Sequence, residues 1–149
     1  MPFLATAVVI FILPLASAYA SASGVDNSPI AVAALQAKAD QAQPRDRCFL
    51  YAELVSRLTD LAGWQFNSGD SVQASETLKL VQRYAEKIHM GVADDSKKLK
   101  NAELLVQRTS IRLKDILSEA SYEDRPALEA ALRQLNQVQE QLMTQFFKK

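Results

Sequence analysis

The sequence predicts an all-α fold: an up-and-down antiparallel bundle of four long helices plus a shorter N-terminal helix. Three observations predict it. Glycine and proline are scarce, 4 and 5 in 149 residues, and Pro29, Pro44, Gly69, Gly91 and Pro126 all fall at joints between patterned segments. No stretch alternates apolar and polar residues with the period of two that a half-buried strand needs. Apolar residues recur instead at steps of three and four, the repeat that keeps side chains on one face of an α-helix.

Each element follows from local chemistry. Ser28-Pro29 reads as an N-cap with proline at the first helical position, opening a short helix through IAVAALQAKADQA that Pro44 ends or kinks. A second helix is expected from about Asp46 to Phe66, with Tyr51, Val55, Leu58 and Ala62 on its apolar face. The polar run Asn67 to Asp70 breaks it, and Asp70 with Gln73 has the spacing of a capping box for the third helix. That helix carries Ala74, Leu78, Val81, Ala85 and Ile88, and Gly91 stands where a left-handed C′ residue belongs.

The fourth helix is expected to start near Asp94, with two acids in its first turn that suit the helix dipole. Its stripe is Leu99, Ala102, Val106, Thr109, Leu113 and Ile116. Ser121 to Asp124 forms a second capping-box-like joint with Pro126 just after it. The last helix has the cleanest stripe, Leu128, Ala131, Leu135, Val138, Leu142 and, four residues on, Phe146. Helices of about 20–25 residues run about 30–38 Å at 1.5 Å per residue. Short loops then favour antiparallel neighbours, with the first helix packed on the bundle's side or continuing the second across Pro44.

The N-terminus predicts export. Met1 to Gly24 carries no charged side chain, and its apolar run from Phe3 to Leu15 has the length of a signal-peptide core, short for a membrane span. Two A-x-A-like sites follow, Ala16-Ser17-Ala18 and Ala18-Tyr19-Ala20. Cleavage is expected after Ala20, which makes 1–20 a signal peptide, 21–27 a flexible leader and 28–149 a single helical domain. The missing Lys or Arg before the apolar run departs from the usual signal pattern, and an uncleaved anchor is the rival reading. The expected location is the periplasm or the extracellular space, with no transmembrane span after cleavage.

Charge narrows the function classes. Seventeen Lys and Arg balance 17 Asp and Glu, which removes the basic excess on which nucleic-acid binding usually rests. One His and one Cys leave few catalytic schemes, and no glycine-rich phosphate loop or nucleophile elbow is present. A non-enzymatic protein without a cofactor is expected. Cys48 shares a helical face with Tyr51, Val55 and Ala62, which reads as a buried thiol; the alternative is an intermolecular disulfide, because one cysteine cannot bridge internally.

Glu86 and His89 stand at i and i+3 on the third helix, a spacing that carboxylate-bridged metal sites use. Ala85 and Ile88 face the core, however, which sets Glu86 and His89 about 100° away, at the wet edge. His89 also falls in the last turn, where a hydrogen-bonding or cationic side chain suits the helix C-terminus. A structural role is expected for it, with a small ligand- or metal-binding bundle through Glu86 and His89 as the alternative.

Two surface features point to partners. Lys79, Arg83 and Lys87 repeat at i, i+4 and i+8, and Lys97, Lys98, Lys100, Arg108, Arg112 and Lys114 add charge on the fourth helix. An anionic envelope surface would compensate such a line; neighbouring acids such as Glu76, Glu103 and Asp115 would do so as well. On the last helix Gln134, Gln137 and Gln141 belong to an amide-rich polar side that can hydrogen-bond to a protein partner or a second copy without desolvating ions. The expected function is an interaction or scaffold module of the periplasm or cell envelope.

Overall fold

The computed structural model describes residues 26–90 and 96–148, except for the side chains of His89, Met90 and Ser96. The expected signal peptide and most of the leader lie outside the described residues. Five helices follow one another: α1 (Pro29–Gln41), α2 (Pro44–Asn67), α3 (Ser71–Met90), α4 (Ser96–Glu119) and α5 (Arg125–Phe147). The all-α bundle expected from the pattern is what forms. Among the described residues, no helix is long and apolar enough to cross a membrane.

The joints show why the chain turns where it does. Ser28 caps α1, its hydroxyl accepting the Ala31 N–H at 3.3 Å, and Pro29 occupies the first turn. Pro44 opens α2 rather than interrupting it, since a first-turn proline loses no helical hydrogen bond. α2 ends in a Schellman turn: Asp70 N–H reaches Gln65 O at 2.9 Å and Gly69 N–H reaches Phe66 O at 3.0 Å. Gly69 takes φ +81°, a conformation that side chains resist. At the α4–α5 turn the Asp124 N–H donates to Ser121 Oγ at 3.3 Å, and Ser121 Oγ donates to Asp124 Oδ2 at 2.7 Å.

The expected start of α4 near Asp94, with Gly91, Asp94 and Asp95, lies outside the described residues, which enter the helix at Ser96. One expected detail changes. The α5 stripe stops at Leu142, and Phe146 stays 45 % exposed. Leu142 lines the same hollow as Leu99, the first buried residue of α4 among those described.

α1 folds back along α2. Asn27 Nδ2 donates to Asp60 at 3.3 Å, while at the other end of α1 the Tyr51 hydroxyl donates to Asp40 at 2.9 Å. α2 and α3 form an antiparallel pair, with Tyr51 stacked on Tyr84 near one end and Gln65 bonded to Thr77 near the other. α4 and α5 form a second antiparallel pair. The two pairs meet with α2 on α4 and α3 on α5, and among the described residues α3 makes no packed contact with α4.

Helix direction follows from two ion pairs. Lys98 meets Asp46, and Arg112 meets Asp60 at 3.6 Å. Both partners advance by fourteen residues, so α2 and α4 run parallel. Chain direction alternates along the sequence, but among the described residues consecutive helices are not all neighbours. Gly63 lets this parallel pair approach: a Cβ built there would stand 2.9 Å from Ile116 Cδ1. The core between the pairs contains Leu54, Leu58, Leu78, Ile88, Leu113, Leu128 and Leu135.

Candidate interaction surface

One of the hollows that the described residues leave unfilled lies on the α4/α5 edge; another, of about 350 Å³, lies beside Asn27, Asp60 and Trp64. The first, a groove of about 200 Å³, is lined by Leu99, Lys100, Glu103, Leu142, Met143, Phe146 and Phe147. Its floor, Leu99 and Leu142, belongs to the core. Its walls do not: Met143 is 44 % exposed and Phe147 77 %. Leu104 and Ile111 extend the same apolar character along the outward side of α4. A clustered exposed apolar edge differs from singly scattered residues, which need no explanation. Lys100 and Glu103 are the charged groups at the groove and carry opposite signs.

Helical geometry places this edge relative to the amide side. With α5 buried along Leu128, Leu135 and Leu142, Met143 and Phe147 fall on one flank and Gln134, Gln137 and Gln141 on the other, at 100° per residue. The first flank faces α4, as the groove lining requires, so the amides lie on the α3 side. Gln137 and Gln141 are exposed and Gln134 is half-buried. The amide side and the apolar edge are therefore two separate surfaces on one helix.

The basic line is divided by its partners. Lys79 is paired with Glu76 at 2.6 Å. Lys87 turns toward α1, where its ammonium lies 3.3 Å from Asp40 and 5.3 and 5.1 Å from the Tyr51 and Tyr84 ring centres. Arg83 is exposed between them. On α4, Lys98 sits beside Asp46 and holds that carboxyl below the usual range. Acidic neighbours compensate at least Lys79, Lys87 and Lys98, the solvated-face arrangement that cross-helix and same-helix acids allow.

The remaining candidate residues are spread over the molecule. Glu86 is exposed on α3, and the side chain of His89 lies outside the described residues. Among the described residues no three His, Cys, Asp or Glu side chains are grouped to hold a metal ion. Cys48 is fully buried as a free thiol, and burial pushes its pKa up to about 11; a bond from its sulfur to another chain requires the core to open first. Comparison of the chain with protein-family models, curated proteins and solved structures yields no match.

The groove escaped sequence reasoning because its residues satisfy the helical repeat. Phe146 continues the α5 stripe, and only the packed structure shows that it stays 45 % exposed. The adjacent pair Phe146-Phe147 was the available signal, since two neighbouring helical residues point about 100° apart and cannot both enter one narrow core seam.

Proposed function

We propose that this chain is an exported, non-enzymatic helical-bundle protein that binds a macromolecular partner in the periplasm, at the cell envelope or outside the cell. The observation that carries the reading is the apolar edge formed by Met143, Phe146 and Phe147 around a groove with a core floor. At about 200 Å³ the groove falls below the range of about 300–1,000 Å³ typical of small-molecule sites. It has room for one or two large side chains, which favours a protein surface as occupant. Apolar anchors in a pocket with charges at its margin are the usual anatomy of a binding hot spot.

The export half of the reading rests on the apolar run Phe3 to Leu15 and the A-x-A-like sites behind it. Mass spectrometry of the chain expressed with its own leader tests it: an N-terminus at Ser21 is expected, and a cytoplasmic product retaining Met1 overturns it. The binding half is tested by photo-crosslinking in the producing cell. A crosslinker placed at Met143 gives a discrete adduct, while one at Gln137, exposed on the opposite flank, does not. Absence of any adduct at position 143 overturns the assignment of the edge.

A further inference from the structure

We propose that the partner seated on the α4/α5 edge is a second copy of this chain, in a two-fold symmetric dimer. The inference rests on the binding reading above and names its occupant. In a two-fold interface the same patch faces itself, so any residue and its contact must both lie within that patch. The edge meets this requirement. It offers a projecting knob, Phe147, beside an unfilled hole floored by Leu99 and Leu142, and a second copy supplies the complement of each.

Charge completes the match. Lys100 and Glu103 lie three residues apart on α4 at the groove. When two α4 helices cross antiparallel there, Lys100 of one copy meets Glu103 of the other, and the second pair forms by symmetry. A patch carrying one charge of each sign at this spacing is complementary to itself. The chain as a whole has no net charge, so no long-range repulsion opposes pairing of copies.

Sedimentation equilibrium of the chain expressed with its own leader and purified as the cell processes it tests the proposal. The wild type is expected to dimerise. Lys100→Glu places two glutamates together across the axis and Glu103→Lys places two lysines together, each weakening the dimer about tenfold or more through two repelling pairs. An equimolar mixture of the two variants restores opposite charges at both contacts, so it is expected to recover a dimer of wild-type affinity. Phe147→Glu abolishes dimerisation without touching the buried core.

A wild-type monomer at about 100 μM, far above a typical specific affinity, overturns the proposal. So does a dimer that ignores both charge reversals, or a mixture that fails to recover. Vesicles containing phosphatidylglycerol provide the other arm: a monomer that binds them through Phe147 identifies a bilayer as occupant instead of a second copy. A monomer that still forms a discrete crosslink at Met143 to a different protein overturns the dimer while leaving the binding reading intact.

Discussion

Thr77 on α3 donates its hydroxyl to Gln65 Oε1 on α2 at 2.7 Å, and both side chains are buried. A buried amide oxygen that loses its donor keeps its desolvation penalty, about 1–3 kcal/mol. Thr77→Val preserves shape and removes the donor, so it is expected to lower unfolding free energy by about that amount. Adding Gln65→Leu is expected to recover most of the loss. A denaturation midpoint unmoved by Thr77→Val would show that the bond contributes nothing.

The α5 stripe gives a contrast within one helix. Leu135 is fully buried, and Leu135→Ala is expected to cost about 2–5 kcal/mol as a core truncation. Met143 stands two turns on but at the groove; its truncation to alanine is expected to stay within about 0.5 kcal/mol for the isolated chain. Equal losses at the two positions would contradict the division between core and edge.

Tyr51 predicts an alkaline stability profile. Burial, followed by its hydrogen bond to Asp40, pushes its pKa from 10.0 up to about 12. The folded chain thus holds a proton that the unfolded chain releases first, so stability is full below pH 10.0 and falls as pH rises toward about 12. Burial raises the Tyr84 pKa in the same direction. Urea midpoints measured from pH 8 to about pH 12 are expected to decline more steeply for the wild type than for Tyr51→Phe. A parallel pair of profiles would remove Tyr51 as the cause.

Ser110 offers a gain. Its side chain is buried at 3 % exposure, and among the described residues its Oγ has no hydrogen-bond partner. Ser110→Ala removes an unsatisfied hydroxyl and supplies a better helix former, so stability is expected to rise by about 1 kcal/mol. A loss of similar size would reveal a partner for that oxygen.

Cys48 is expected to resist thiol reagents in the folded chain. Its sulfur is enclosed, and a pKa near 11 leaves it as the weakly nucleophilic thiol at neutral pH. Ellman's reagent should report no free thiol without denaturant and one thiol with it. Stoichiometric reaction of the native chain would overturn this, as would a disulfide-linked dimer on a non-reducing gel.

Much of the fold was legible because the helical repeat and the joint residues agree with each other. Ser28, Pro29, Pro44 and Gly69 mark helix ends by backbone chemistry that does not depend on the rest of the molecule. Neighbour relations were not legible in the same way. Leu78 on α3 and Leu113 on α4 announce which side of each helix is buried, yet a buried side does not say which helix covers it. The pairing of α2 with α4 is set by Asp46 with Lys98, Asp60 with Arg112, and the gap at Gly63, and these sites lie more than fifty residues apart in sequence. The apolar edge was hidden for a related reason: Phe146 looks like core until its exposure in the packed structure is known. Gln137 and Gln141 are exposed and Gln134 is half-buried, and the position of their side of α5 beside α3 came only from the packing.

The pairing of helices also bears on how the chain assembles. The α2–α3 and α4–α5 pairs are each closed by a short turn, so contacts within a pair link residues close in sequence, the kind that form quickly. Contacts between pairs join distant residues and need both hairpins in place. The packing divides α2–α5 into two hairpins joined in one chain through residues 91–95, so their docking is intramolecular. Cutting that connection would leave both mating surfaces chemically whole, and it would turn an intramolecular docking step into one that depends on how much of each half is present.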